Sequence, residues 1–278
     1  MPQPHVISSN FMYRALLTCL LFAVSVESFT QNNPLFEESK VEIVPININT
    51  DESEFGPFLI GKSFYYTSSQ ERKIGVISME SATNHQMLDL YSGIVTDSIR
   101  INKVKPLNDD INTPLNQGGC FFDKYTSKLF YTTDIECAAA SQKYKLAIFS
   151  AELINNQFAA SKPELVLPDT FSAAHPVIFN GKLYFSANIL GGKGKTDIYV
   201  AEKIGENWGN FTNCSYLNSE ENEFFPFVIN ENEIYFSSNR SGGLGKLDLY
   251  KYTKDGNNYI IQNAGTPLNS EYDDFAIY

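Results

Sequence analysis

Residues 217–250, LNSEENEFFPFVINENEIYFSSNRSGGLGKLDLY, decide how this chain is read. Within them 225–229 (FPFVI) is a short apolar run rich in aromatic and β-branched residues, which favours a strand over a helix of so few residues. Pro226 stands near its start, where a missing N–H does least harm to a ladder. Residues 230–233 (NENE) form a polar hairpin connection. The run 234–238 (IYFSS) follows, with Ile234 and Phe236 on one face and Tyr235 on the other. Apolar bulk on both faces predicts cover on both sides. Residues 241–245 (SGGLG) then read as a flexible turn, and 247–250 (LDLY) as the start of a third strand.

A shift of 51 residues carries this unit onto its neighbours. It lays Tyr199 on Tyr250, Tyr184 on Tyr235, and 191–195 (GGKGK) on 242–246 (GGLGK). Asp197 falls on Asp248 and Gly192 on Gly243, while Pro57, Pro176 and Pro226 share one first-strand position. In the other direction 217–220 (LNSE) maps to 268–271 (LNSE), and Glu223-Phe224 to Asp274-Phe275. Phe158, Trp208 and Tyr259 mark the fourth strand. A period near 50 with four strands per unit predicts an all-β chain, a β-propeller of four-stranded blades. A single four-stranded sheet cannot bury two apolar faces, but blades stacked around an axis bury them against each other.

The expected organisation is a signal peptide over 1–28, then an N-terminal segment over 29–50 with a closing or edge strand in 40–49 (KVEIVPININ). Repeats follow at about 51–113, 114–170, 171–219 and 220–270, with a partial fifth at 271–278. In the first repeat the third strand falls either at 74–78 or at 88–91. The second repeat has lost the Gly-rich turn. Four units and a lone C-terminal strand suggest a shortened version of a longer chain.

Composition narrows the function. The chain has 278 residues, 43% hydrophobic and 14% aromatic, ample for a core. A net charge of −11 argues against nucleic acid, whose recognition depends on Lys and Arg neutralising phosphates. Residues 15–26 (ALLTCLLFAVSV) are too few to span a bilayer but suit a signal-peptide core, so the protein is expected to be exported, to the periplasm or outer membrane, with no transmembrane span in the mature chain. Met12 offers an alternative start. Cys19 sits poorly for lipidation, since the apolar run continues past it. Cys120 and Cys137 flank a hairpin and could pair in an oxidising compartment; the alternative is three free thiols, Cys214 included.

The motif Pro226-Phe-Val-Ile…Ile234-Tyr-Phe-Ser-Ser-Asn-Arg-Ser-Gly-Gly…Asp248-Leu-Tyr resembles the WD40-like repeat of TolB-type β-propellers. The lead-in at 267–275 (PLNSEYDDF) is closest to exported envelope proteins that carry such a propeller before an OmpA-like domain. The resemblance covers about 51–278 and is strongest in the third and fourth repeats. It implies a non-catalytic platform that binds envelope proteins, in some members as part of an outer-membrane secretion machine. No OmpA-like region is present in this sequence, so peptidoglycan binding is not supported.

Candidate chemistry is sparse. Gly194-Lys195-Thr196 lacks the upstream glycine of a phosphate loop, and its counterpart Gly245-Lys246-Leu247 lacks the hydroxyl that holds magnesium. Asp197, Asp248 and Asp89 precede third strands and are expected to hydrogen-bond their own loops. Glu54, Glu223 and Asp274 share one position before the innermost strand; they are either an acidic channel mouth for a basic partner or solvated turn residues. Ala173 fills the third repeat's slot. Arg240 reads as a turn-stabilising or contact residue. His85 and His175 have no ligand-spaced or triad partners. The sequence therefore predicts no enzyme, no cofactor and no metal. The alternatives kept open are a propeller glycoside hydrolase, which needs converging carboxylates, and a calcium-dependent carbohydrate-binding protein.

Overall fold

The computed structural model describes residues 41–70, 87–98, 100–137, 142–168 and 170–278. The expected signal peptide over 1–28, Cys19, residues 29–40, the alternative strand at 74–78 and His85 lie outside them.

Sixteen strands form four antiparallel sheets among the described residues, with no helix. The first blade is β1 (Glu54–Ile60), β2 (Ser63–Ser68), β3 (Asp89–Asp97) and β4 (Arg100–Pro106). The second is β5 (Gln117–Asp123), β6 (Lys128–Glu136), β7 (Tyr144–Ile154) and β8 (Gln157–Leu165). The third is β9 (Ala173–Phe179), β10 (Lys182–Ala187), β11 (Asp197–Ile204) and β12 (Asn207–Asn213). The fourth is β13 (Glu223–Asn230), β14 (Glu233–Ser238), β15 (Asp248–Asp255) and β16 (Asn258–Asn263). Each sheet runs in sequence order from hub to rim, and β5 touches both β1 and β9 while β9 touches β13. This is a four-bladed β-propeller.

The hairpins are short for a backbone reason. Asn155 and Asn156 both adopt left-handed φ, 51° and 61°, the mirror-image turn whose twist matches paired strands. Between blades, the second strands carry the core. Leu129 and Tyr131 of β6 pack on Phe58, Tyr65 and Leu90 of the first blade. Leu183 and Phe185 of β10 pack on Phe130 and Ile148, and Ile234 and Phe236 of β14 on Tyr184 and Ile198. Each such side chain contributes roughly 1.5–3 kcal/mol relative to exposure. A lone sheet would leave one of its two apolar faces in water.

A second device ties the second and fourth blades, and the segment after the fourth, to the blade before. Asn218 accepts the Ile198 N–H at 2.8 Å and donates to the Ile198 carbonyl at 2.9 Å. Asn269 repeats this on Leu249, at 2.8 and 3.0 Å, and Asn112 on Leu90, at 2.8 and 2.9 Å. These side chains satisfy a backbone pair that the lead-in turn would otherwise bury unpaired.

The ring's fifth slot, between β13 and β1, holds residues 274–278. They make no strand ladder among the described residues. Phe275 lies 5.0 Å from the Phe225 ring and 5.5 Å from Phe55, and the Tyr278 hydroxyl donates to the Leu59 carbonyl at 3.4 Å. A parallel bridge from Leu247 to Asp273 anchors the segment as the Thr196–Asn222 bridge anchors β13.

One expectation needs correction, and one open alternative is settled in favour of 88–91. The closing strand expected in 40–49 does not form across 41–49; Pro45 has no N–H to donate, and the segment packs instead of pairing. Ile46 and Ile48 cover Phe64, Tyr66, Tyr91 and Ile101, while Val41 packs with Leu249, Ala264 and Leu268. Asn47 pins it through both hydrogen bonds to Ile101, at 2.9 and 2.7 Å. The first blade's third strand begins at Asp89, which pairs with Ser68 as Asp248 pairs with Ser238.

Candidate functional site

The innermost strands share a fault that builds the axis. The β1–β2 register shifts between Phe55 and Phe58, the β5–β6 register between Gly118 and Phe121, and the β13–β14 register between Phe224 and Phe227. The β9–β10 register shifts at the same place, between Tyr184 and Ser186. At each bulge one residue is left-handed: Gly56, Gly119, His175 and Phe225, with φ of 60°, 53°, 55° and 49°. Ala276 takes the same conformation in the fifth slot, φ 60°. Pro57, Pro176 and Pro226 follow three of these residues, where an interrupted ladder needs no donor.

Glycine adopts this conformation freely, whereas a residue with a side chain is strained there by about 1–2 kcal/mol. Two blades use glycine. The other two place an imidazole and a phenyl ring at the strained position. The His175 and Phe225 rings stack at 3.7 Å, Phe224 meets His175 edge-on at 5.7 Å, and Phe55 stands 6.1 Å from Phe225. Strain of this kind is held only where surrounding packing over-determines it, and it concentrates at binding sites.

Below these rings lies an axial pocket of about 40 Å³, lined by Gly56, Cys120, His175, Phe225, Ile277 and Tyr278 among others. That volume admits a water or one small substituent of a ligand, not a whole ring. No carboxylate is among the described residues lining it. His175 Nδ1 is buried there without a hydrogen-bond partner, while its backbone N–H donates to Thr132 Oγ1 at 2.9 Å. Desolvation pushes the imidazole pKa down from 6.5 to about 3, so the ring is neutral at physiological pH. Burial pushes the Cys120 thiol up to about 12, which keeps it an un-ionised lining group.

The three acids of the repeat position turn back on their own lead-ins. Glu54 accepts from the Thr50 N–H at 3.1 Å, Thr50 Oγ1 at 2.6 Å and Ser68 Oγ at 3.2 Å. Glu223 accepts from the Ser219 N–H at 2.9 Å, Ser219 Oγ at 2.5 Å and Ser238 Oγ at 2.9 Å, and pairs with Arg240 at 3.0 Å. Asp274 accepts from the Ser270 N–H at 2.6 Å and Ser270 Oγ at 2.9 Å. Gln117 does the same in the second blade, taking the Thr113 N–H at 3.1 Å. The sequence did not single out Gln117; a Ser or Thr four residues before an acid or amide is the signal that finds it. Glu54 and Glu223 are the first residues of β1 and β13, inside the strands rather than before them. Desolvation raises the Asp274 carboxyl above its ordinary range of 3.8, against the lowering effect of its Ser270 hydrogen bonds.

The Gly-rich loops close on their aspartates. Asp197 accepts from the Lys193 and Gly194 N–H groups and from Asn213, at 2.5, 2.9 and 2.6 Å. Asp248 takes the Leu244 and Gly245 N–H groups and Asn263, at 2.5, 3.0 and 2.9 Å. A Cβ at Gly192 would strike the Asp197 carboxylate and one at Gly243 that of Asp248, so both repeat glycines are demanded by close approach. Arg240 donates to the Leu217 carbonyl at 2.6 Å and sits over Phe236 and Tyr250. Cys120, Cys137 and Cys214 form no disulfide. Among the described residues no group of three His, Cys, Asp or Glu side chains could hold a metal ion, and no helix is long and apolar enough to cross a membrane.

No protein-family model and no curated protein sequence matches the chain. Solved structures of similar fold include a GH43 β-1,3-galactosidase with galactodeoxynojirimycin, 10% identical over 78% of each chain, TM-score 0.44. An exo-β-1,3-galactanase from Clostridium thermocellum is 10% identical over 84% of this chain and 51% of its own, TM-score 0.43. A puromycin-hydrolysing peptidase from Mycobacterium tuberculosis is 12% identical over 76% of this chain and 38% of its own, TM-score 0.42. The chain thus spans about half of the galactanase and less of the peptidase. At such identities the likeness concerns the fold alone. The expectation of a non-catalytic envelope platform and of no enzyme is corrected to this extent: the solved structures named here are hydrolases, so the propeller architecture by itself does not exclude catalysis. What stands is the architecture, a β-propeller with a strained aromatic site on its axis.

Proposed function

We propose that this protein is directed at carbohydrate and receives a sugar at the aromatic end of its axial channel. The observation that carries the reading is the His175–Phe225 pair, stacked at 3.7 Å in left-handed backbone with His175 Nδ1 buried and unpartnered. Aromatic faces stack on the apolar C–H faces of sugars, and an unpaired imidazole nitrogen exchanges a hydrogen bond with a hydroxyl. A pocket of about 40 Å³ suits one hydroxymethyl group reaching in from a sugar held outside it. Hydrolysis would require two carboxylates across the scissile bond, about 5–9.5 Å apart, and none is among the described residues lining the pocket, so binding is the activity to test first.

The test is calorimetric titration with a panel of galacto-, gluco- and arabino-oligosaccharides, alongside an assay for released reducing ends. Saturable binding to the wild type, lost in His175→Gly and Phe225→Gly, supports the reading; both variants restore the residue used at Gly56 and Gly119. No binding by any sugar, or binding untouched in both variants, rules it out. The finer kinship we propose, WD40-like repeats of TolB type, rests on the Pro226-to-Tyr250 motif, and export rests on the apolar run at 15–26. N-terminal sequencing of the protein from its native cells tests export: an intact residue 1 stands against it.

A further inference from the structure

Each second strand sets a small hydroxyl side chain opposite the residue that precedes the left-handed one. Thr67 faces Phe55, Thr132 faces Gly118, Ser186 faces Ala174 and Ser237 faces Phe224. Three of these hydroxyls, on Thr67, Ser186 and Ser237, are buried with no hydrogen-bond partner among the described residues. Thr132 differs. Its Oγ1 accepts the His175 N–H at 2.9 Å and donates to the Gly119 carbonyl at 3.4 Å. One hydroxyl thereby joins the left-handed residue of the second blade to that of the third.

Gly119 supplies the space for this joint. A Cβ there would lie 2.9 Å from His175 Cδ2 and 3.3 Å from Thr132 Oγ1, so the edge of the imidazole occupies the volume that a side chain at 119 would take. Gly56, left-handed at the same position of the first blade, would meet only the Thr67 hydroxyl, at 3.8 Å. Backbone freedom accounts for that glycine, whereas at Gly119 close approach adds to it. His175 needs a hold of this kind. It is left-handed, φ 55°, and it precedes Pro176, which pushes the residue before it towards extended backbone. Phe225 is strained in the same way one blade on, yet Ser186, the equivalent of Thr132, gives it no hydrogen bond.

We propose that Thr132 and Gly119 are the positioning residues of the axial site: Thr132 anchors the His175 backbone, Gly119 leaves room for its ring, and together they set the imidazole flat against Phe225. The inference rests on the sugar reading and adds to it that the receiving ring is fixed from the neighbouring blade. Thr132→Val keeps the shape and removes the hydroxyl, which leaves the His175 N–H and the Gly119 carbonyl unpaired. Thr132→Ser keeps the hydroxyl.

The test is NMR of the full chain carrying isotope-labelled histidine, with His175 assigned by its absence from His175→Gly. The Phe225 ring, stacked at 3.7 Å, displaces the His175 ring-proton signals upfield. Wild type, Thr132→Ser and Ser186→Ala should all show that displacement, while Thr132→Val and Gly119→Ala should lose most of it. Affinity for the best-binding glycan should fall in step, by roughly tenfold in Thr132→Val, the cost of one lost anchoring hydrogen bond, with Thr132→Ser close to wild type. Ser186→Ala, which deletes the unpartnered hydroxyl of the next blade, controls for a general effect on packing. A displaced signal that persists in Thr132→Val, its loss in Thr132→Ser, or an affinity indifferent to the signal overturns the proposal. The signal is read without ligand. If no glycan binds the wild type, the sugar reading falls, and the role of Thr132 is decided by the signal alone.

Discussion

Acid titration of His175 offers the sharpest physical prediction. The imidazole has an ordinary pKa of 6.5 and is pushed to about 3 in the folded chain by desolvation alone. The unfolded chain therefore takes up a proton that the folded chain refuses. Stability from this group is complete well above pH 6.5 and is lost as pH falls towards 3, at up to about 1.4 kcal/mol per pH unit. Two units of acidification, from about pH 6.5 to 4.5, then remove about 2 kcal/mol, since the unfolded imidazole is already half protonated at the start. Carboxylates elsewhere titrate in the same range, so the quantity to measure is the difference between wild type and His175→Gly in urea unfolding. The glycine variant also relieves left-handed strain of about 1–2 kcal/mol and loses ring stacking of about 0.5–1.5 kcal/mol. Those terms are independent of pH and set only the offset. The difference is expected to move in favour of His175→Gly by about 2 kcal/mol over those two units. A difference that stays flat within about 0.5 kcal/mol refutes the burial of an unpartnered imidazole.

Three further outcomes follow from the same geometry. Arg240→Met strands the fully buried Glu223 carboxylate, whose partner guanidinium is 16% exposed, and should cost about 3–5 kcal/mol in urea unfolding; adding Glu223→Met should recover much of it. Asn269→Ala leaves the Leu249 N–H and carbonyl without their side-chain partner and should cost about 2 kcal/mol, with Asn218→Ala similar at Ile198. Asp274, raised above 3.8 by desolvation, favours the folded state most below that value and loses this contribution as pH rises through the shifted one. Thermal melts of Asp274→Asn should therefore gain on the wild type between about pH 3 and 7, and a constant gap contradicts the shift.

Much of the fold was legible because the repeat is written in large side chains. The run 234–238, its copy at 183–187 and the 51-residue shift locate the second strands, and these carry the inter-blade core. Tyr184 and Tyr235 forecast cover on both faces of a strand. The axial site was less legible. A left-handed bulge leaves no mark at His175 or Phe225 themselves, and only the recurring Pro57, Pro176 and Pro226 hint that the ladder breaks there. His175 looked inert because its significance lies in backbone strain and a buried nitrogen, neither of which has a sequence signature. Glu54, Glu223 and Asp274 were found as a set, yet their use as caps on Thr50, Ser219 and Ser270 is a matter of side-chain direction. Gln117 escaped notice because the second blade's lead-in has diverged. The segment 41–48 alternates like a strand, but its apolar residues serve two different blades.

The most direct measurement of the central claim is long-range proton–nitrogen NMR of imidazole-labelled protein during titration with the glycan that binds best. His175 Nδ1 should move in saturable fashion, in the direction of a new hydrogen bond, while the His175→Gly variant neither binds nor shows the signal. A glycan that binds with the Nδ1 resonance unmoved, or a full panel that leaves it unmoved at saturating concentration, contradicts a sugar site on the axis.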